Sequence, residues 1–216
     1  DTILHPDAIK NLYLATARRD ATAATGTVLL SNEKETWLTR ITACMYWFSF
    51  CQERASQSFF GSVCCCSGAL AIYQKDIVLK HEYEYINQPF FGLECKAGDD
   101  RHLTSLFLLD KHKVVWAKDA IAYTYSPPTT KAFLQQQLRW TRSNIASLYY
   151  LFFRIKDWIL PAFVFTVKLH FNYGYQFMVY AVMIHSMVET RSAMPLAMVT
   201  GSLLIVSAIK AAIAAI

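Results

Sequence analysis

Charge is spread so unevenly along this chain that no single water-soluble domain accommodates it. Beyond residue 157 full charges occur only at Lys168, Glu189, Arg191 and Lys210, whereas the preceding residues carry 33 of the 37 charged side chains. Between Trp158 and Met187 Lys168 stands alone, and Ser192 to Ile209 holds no charge. About 18–20 such residues suffice to cross a hydrocarbon core. The chain is read as a soluble part followed by a transmembrane region, residues 158–216, of about two spans. Lys168, His170 and Asn172 fall near the middle of the first apolar stretch. Either that span is shorter than it looks or these residues face a polar interior, as intramembrane ionisable groups do. A buried helical hairpin in a soluble core is the alternative. The short, balanced loop at Glu189 and Arg191 does not orient the pair by the positive-inside rule.

Composition narrows the rest. With 54% hydrophobic and 17% charged residues, disorder, collagen and a disulfide miniprotein are excluded. The net charge of +5 comes without a basic run, so no nucleic acid partner is expected. Lys and Arg near a bilayer would favour anionic headgroups or an anionic substrate. The run Cys64-Cys65-Cys66 has the wrong spacing for three zinc thiolates, and adjacent cysteines rarely bridge each other. With Cys44, Cys51 and Cys95 they read as reduced thiols. Asp1 opens the chain inside what reads as an element, so a missing N-terminus is expected.

In the soluble part, His5-Pro6-Asp7 predicts a turn with an N-capping acid, then a helix over Ala8–Arg19 with Ile9, Leu12, Tyr13 and Ala17 on one side. Thr27–Leu30 reads as a short strand. Glu35 to Ser58 has no Gly or Pro, and apolar residues recur at Trp37, Ile41, Cys44, Met45, Phe48 and Cys51. That spacing predicts one long amphipathic helix. Ser62–Tyr73, around Ser67-Gly68, reads as a strand or strand-turn-strand. A helix follows Gly98-Asp99-Asp100, short strands cover Val114–Trp116 and Ala120–Tyr125, and Thr130–Tyr150 is helical beyond Ser126-Pro127-Pro128. Alternating strands and helices argue α/β.

Two constellations could carry chemistry. Asp99 and Asp100 are adjacent carboxylates at a loop-to-helix junction, suited to binding a metal or to acting as a general base. Capping the helix would equally explain them. In Gln135-Gln136-Gln137-Leu138-Arg139-Trp140, a helix places Gln136, Arg139 and Trp140 on one side. An amide, a guanidinium and an indole there could grip a diphosphate and stack on a sugar, although an exposed face with one buried Trp has the same pattern.

The combination is more specific than either part. Five stretches, Asp1–Ala8, Trp37–Arg40, Phe60–Gly68, Gly98–Thr104 and Gln136–Ser143, follow in one order. Together they resemble the processive family 2 glycosyltransferases: hyaluronan synthases, chitin synthases and the nodulation chitooligosaccharide synthase. The resemblance covers roughly residues 1–150 and implies a partial α/β GT-A-like glycosyltransferase domain followed by transmembrane α-helices. Residues 1–142 would be the C-terminal part of the cytosolic catalytic domain, 143–157 an interface helix and 158–216 the membrane region. The helix around Trp37, Tyr46, Trp47 and Phe48 resembles a segment lying near the membrane interface in that family.

By resemblance, Asp1 is the last carboxylate of a D-x-D motif that holds Mg2+ or Mn2+ on the donor diphosphate, its first Asp lying outside this chain. Asp100 is the general base for the acceptor hydroxyl and Asp99 a supporting acid. Arg139 would stabilise the leaving UDP, Trp140 floor the acceptor sugar and Gln136 orient the same site. Ser67-Gly68 falls where the family has a small-residue turn beside the acceptor, with a tight strand turn as the plain alternative. Cys66 is a weaker candidate. His102 is expected to pack the helix, and Lys34, Arg40 and Arg54 to be solvated.

The implied activity is inverting, processive polymerisation of an N-acetylglucosamine polysaccharide from UDP-N-acetylglucosamine, alone or with UDP-glucuronic acid. The polymer would leave through the enzyme's own helices in an inner or plasma membrane, with the catalytic domain cytosolic. Gly98–Thr104 and the Cys-Ser-Gly turn lean towards hyaluronan, and the triple Cys with Gln136–Ser143 towards the nodulation enzymes. A single-sugar transferase to a lipid carrier and a non-enzymatic polytopic membrane protein are the alternatives. The uridine-contacting half is absent from these residues, so residues 1–216 alone are expected to be inactive.

Overall fold

The computed structural model describes residues 2–90, 93–94 and 98–154, with Ala181, His185 and Val188 beyond them. The chain divides into two compact units, Asp1–Ala162 and Phe163–Ile216, and the fold below is that of the first. Residues 158–180 and 192–209, which carry most of the expected spans, lie outside the described residues. Among the described residues no helix is long and apolar enough to cross a membrane.

A four-stranded mixed sheet organises the unit. Its strands are β1 (Thr2–Leu4), β2 (Ala23–Leu30), β3 (Ala71–Tyr73) and β6 (Val114–Thr124), in the order β1-β6-β2-β3. The β2/β6 pair is parallel, and β1 and β3 join as antiparallel edges. β2 is buried along nearly its whole length, as expected of a strand covered on both faces.

Alternation of side chains across the pleat builds two cores. Ala24 and its partner Val115 face a cluster with Ala8 and Leu12 of α1 (Ala8–Arg19). Ala23 and its partner Val114 face Val63, Cys66, Leu103 and Phe107, the last two from α6 (Asp99–Leu109). The sheet is thus sandwiched between α1 and α6. Gly26 marks a register shift in the β2/β6 ladder, and a Cβ there would collide with Leu70 and the Ala120 carbonyl.

Several sequence expectations need correction. α1 has the expected bounds, but Asp7 makes no side-chain capping bond, and Ile9 and Tyr13 are exposed; Ala8 and Leu12 are the buried pair. The two short strands expected after residue 113 are one, β6. Ser62–Tyr73 is mostly irregular, with a single bridge from Ser62 to Val114 before β3. Two short helices, α4 (Lys75–Lys80) and α5 (Glu82–Ile86), and a small hairpin of β4 (Pro89–Phe90) and β5 (Leu93–Glu94) lie between β3 and α6.

The long helix expected from Glu35 starts at Trp37 and is helical from there, but not uniform. α2 (Trp37–Trp47) starts at a capping box between Thr36 and Thr39, passes into a π-helical stretch, Phe48–Arg54, and continues as α3 (Ala55–Phe59). Its apolar stripe of Trp37, Ile41, Met45 and Phe48 points outward, while Leu38, Thr39, Thr42 and Phe50 are buried. α7 (Thr130–Arg154) is one helix through residues 142 and 143. Its buried Ser143, Ala146, Ser147, Tyr150 and Leu151 recur at helical spacing on the side packed against α6.

Candidate functional site

The site begins where α6 begins. Gly98 caps the helix at φ 84°, and a Cβ on it would run into Ser143 of α7. Glycine therefore permits both the left-handed turn and the contact that sets α7 beside the first turn of α6. That turn carries Asp99, which is exposed, and Asp100, which is half-buried.

Asp100 faces the Cys64–Gly68 loop. Its Oδ2 accepts the Gly68 N–H at 3.2 Å and lies 3.9 Å from the Cys65 thiol, while Oδ1 accepts the Arg101 N–H at 2.7 Å. A Cβ on Gly68 would sit 3.8 Å from that of Asp100. The Ser67-Gly68 turn is therefore in direct contact with the candidate base.

The loop has no sheet partner beyond Ser62 and Val63, so side chains take up its backbone groups. Gln57 Oε1 accepts the Cys64 N–H at 3.0 Å, and Arg54 Nε donates to the Cys65 carbonyl at 3.1 Å. Thr104 Oγ1 accepts the Cys66 N–H and Thr25 Oγ1 the Ser67 N–H, both at 3.0 Å. Cys66 is fully buried, and burial pushes its thiol up to about 12. It is an inert core thiol. Cys44, Cys51, Cys64, Cys65 and Cys66 form no disulfide.

Arg54 is thus a structural member of the site, not the solvated charge expected of it. It also bonds Ser49 through its carbonyl and hydroxyl, and its guanidinium lies 4.0 Å over the Phe50 ring. The π-helical stretch ending at Arg54 is of a kind frequent at functional sites. Beside it, Phe50 touches Tyr46 with ring centroids 6.1 Å apart, and Tyr46 touches Trp140 at 6.0 Å. Burial raises the Tyr46 phenol, against the pull of the Arg54 and Arg139 charges. Contacts run from Trp140 through Tyr46, Phe50, Arg54 and Cys65 to Asp100.

The remaining expected residues are less tightly held. Arg139 is exposed and Trp140 half-buried. The Oε1 of Gln136 and the Nε2 of Gln137 are buried with no hydrogen-bond partner among the described residues, as is the Nε of Arg101. Burial works against the Arg101 charge, but Cys65, Asp100, Cys64 and Glu53 around it prevail and raise it. His102 is a packing residue, 1% exposed, with Nε2 3.0 Å from the Glu84 carbonyl and its ring edge-on to Tyr150 at 4.7 Å. Asp1 lies outside the described residues, and among those described no group of three His, Cys, Asp or Glu could hold a metal.

Sequence reasoning missed Thr25, Tyr46, Arg54, Gln57, Cys65 and Thr104. For the threonines a signal existed: a hydroxyl amid small and apolar residues, as in Ala-Ala-Thr-Gly-Thr, needs a partner once buried. For Arg54 there was none, since its bond to the Cys65 carbonyl joins a helix to an irregular loop. Chemically, the arrangement offers a carboxylate held by neutral donors beside an open turn, with two aromatic rings and two guanidinium groups nearby. It can accept a proton, stack a ring and balance negative charge.

Residues 1–210 match the family model described as glycosyl transferase family group 2. A protein named N-acetylglucosaminyltransferase from Mesorhizobium japonicum is 40% identical over 144 residues, covering 67% of this chain and 34% of that protein. One of the same name from Sinorhizobium fredii is also 40% identical over 144 residues, 67% of this chain and 35% of its own length. A hyaluronan synthase from Streptococcus pyogenes is 36% identical over 143 residues, covering 66% and 34%. The chain spans about a third of the length of the curated relatives it matches.

Proposed function

The chain belongs to glycosyl transferase family group 2, and on that premise we propose that it is the acceptor-side part of a membrane-embedded, processive, inverting hexosyltransferase. Its donor is UDP-N-acetylglucosamine, alone or with UDP-glucuronic acid, and its product a hyaluronan-type or chitin-type polysaccharide. The observation that carries the reading is the Asp100 carboxylate, bonded to the Gly68 N–H of an exposed turn at the first turn of α6. The names of the relatives, N-acetylglucosaminyltransferase and hyaluronan synthase, support the donor class.

In this reading the acceptor hydroxyl lies against Asp100. Its proton passes to the carboxylate as its oxygen bonds to the donor's anomeric carbon. The bond from that carbon to the diphosphate oxygen breaks, UDP departs with the electron pair, and configuration inverts. Arg139 balances charge on the departing diphosphate. Trp140, backed by Tyr46, supports the acceptor sugar, and Gln136, one turn before it on α7, orients the same site. A divalent cation, implied by the family resemblance, would be held by Asp1 and would neutralise diphosphate charge.

The membrane location is part of the proposal. The charge-poor stretches 158–187 and 192–209 support it, as does the outward stripe of Trp37, Ile41, Met45 and Phe48 on a catalytic-side helix. The test is incorporation of radiolabelled UDP-N-acetylglucosamine by membranes carrying the full-length parent, with and without UDP-glucuronic acid. Dependence on both donors selects hyaluronan, and incorporation from the first alone selects chitin. A labelled product of one sugar on lipid would overturn processivity, and no incorporation in either arm would overturn the reading.

A further inference from the structure

We propose that the hydroxyls of Thr25 and Thr104 are positioning groups for the Asp100 carboxylate, clamping the Cys64–Gly68 loop from opposite sides. The inference rests on Asp100 being the base, as proposed above.

The loop meets α6 at two rungs. The Gly68 N–H bonds Asp100 Oδ2 at 3.2 Å, and the Cys66 N–H bonds Thr104 Oγ1 at 3.0 Å. Four residues of helix advance about 6 Å. Two residues of loop reach at most about 7 Å even when fully drawn out. The two spans are similar in size, so a two-residue stretch of loop can meet one turn of α6 at both rungs. Ser67, the residue between, bonds in another direction, its N–H going to Thr25 Oγ1 of β2 at 3.0 Å. Cys66 and Gly68 hold the loop to α6, and Ser67 between them holds it to the sheet.

Hydrogen-bond accounting shows that each hydroxyl is committed. A hydroxyl donates once and accepts at two lone pairs. Thr104 Oγ1 donates to the Asp100 carbonyl at 2.7 Å and accepts from Cys66, leaving one lone pair for the Tyr73 hydroxyl at 3.4 Å. Its proton being spent, Tyr73 is the donor. Thr25 Oγ1 donates to the Leu70 carbonyl at 3.1 Å and accepts from Ser67. Both threonines are fully buried, so no water stands ready to replace them. Thr104 thus ties the backbone of the residue carrying the carboxylate to the loop whose N–H aims it, one turn away. Removing a hydroxyl releases a rung and lets Gly68 move relative to Asp100 without touching either.

The experiment uses the full-length parent in membranes, with UDP-N-acetylglucosamine as the varied donor and rates normalised to the amount of folded protein. Thr104→Val and Thr25→Val are expected to lower kcat by about tenfold to a hundredfold, the scale of a misplaced reacting group, with donor KM unchanged. Thr104→Ser, which keeps the hydroxyl, restores kcat. Wild-type kcat in both valine variants overturns the proposal, as does a serine variant as impaired as Thr104→Val. So does a loss that falls on KM alone. Should Thr104→Val not accumulate, Thr25→Val carries the test on the other side of the loop. Asp100→Asn separates the two readings: if it remains active, the assignment of the base fails and this proposal with it. If it is inactive while both valine variants are normal, this proposal alone fails.

Discussion

Asp100 and Asp110 stand at opposite ends of α6, and the chain surrounds them in opposite ways. Asp100 lies in the first turn, where the helix dipole favours a negative charge, and its partners are backbone N–H groups and a thiol. Asp110 follows the last turn, where the dipole opposes it, and there two basic side chains converge on one oxygen: Lys80 Nζ, and His81 Nε2 at 2.8 Å. His81 in turn reaches Glu84 at 3.2 Å, and Glu84 reaches Arg154 of α7 at 3.5 Å. The lesson lies in the kind of partner. The Asp110 carboxylate is taken up by two basic side chains, whereas that of Asp100 accepts its direct hydrogen bonds from backbone N–H groups and faces an exposed turn.

The hardest test of that contrast is Asp100→Asn in the full-length parent. Asparagine has one acceptor oxygen, which can keep the Gly68 N–H bond while the Arg101 N–H bond is given up, so the contact to the loop can survive while the basic group is gone. Donor incorporation should fall by about 10²–10⁴-fold, the usual contribution of a general base. An asparagine variant with more than a tenth of wild-type kcat would remove the distinction between the two ends of α6.

Next in size is Gly98→Ala. Alanine at φ 84° carries about 1–2 kcal/mol of backbone strain. Its methyl must also displace Ser143, at about 1–3 kcal/mol for overpacking. The variant should unfold at lower temperature than wild type and lose activity with it. Gly98→Ala with Ser143→Gly should recover part of the loss, because only the steric component is relieved.

A smaller effect is expected where α2 meets α7. A double-mutant cycle on Tyr46→Leu and Trp140→Ala, read through kcat/KM, should return a coupling of about 0.5–1.5 kcal/mol, that of a tilted aromatic pair. Zero coupling would mean that Trp140 is oriented by α7 alone.

How much of this was legible from the sequence depends on the kind of signal each part needs. The Asp99-Asp100 turn, α1, α6 and the start of α7 follow from caps, glycines and helical spacing, all local. The spacing in α2 predicted an amphipathic helix but not the direction of its stripe, because periodicity shows that a face is apolar, not which way it points. Thr39 and Thr42 are buried in place of Trp37 and Ile41 because Thr39 closes a capping box with Thr36 and the Thr42 hydroxyl bonds the Leu38 carbonyl at 2.8 Å. The roles of Arg54 and Thr104 arise from pairings 11 and 38 residues apart in an irregular loop, and no periodic pattern encodes them.

The smallest effect returns to Asp110. Partial burial raises its carboxyl, but the bonds and charges of Lys80 and His81 outweigh this and hold it below the ordinary value of 3.8. A carboxyl depressed in the folded state contributes stability that is fully present above its unfolded value and lost as pH falls through its folded one. Asp110→Asn should therefore lower stability at neutral pH, and the gap to wild type should close as pH drops below about 4, the unfolded Asp value. Lys80 is largely exposed and water screens the pair, so the gap is about 1 kcal/mol or less. Donor incorporation at neutral pH should be unchanged, since these partners lie at the far end of the helix from Gly68. Chemical denaturation of the purified parent at pH 7 and pH 3.5 measures the first effect and the incorporation assay the second. A neutral-pH loss of activity with stability intact would mean that the two ends of α6 are coupled, and that the cation-bound carboxylate serves the reaction as well as the fold.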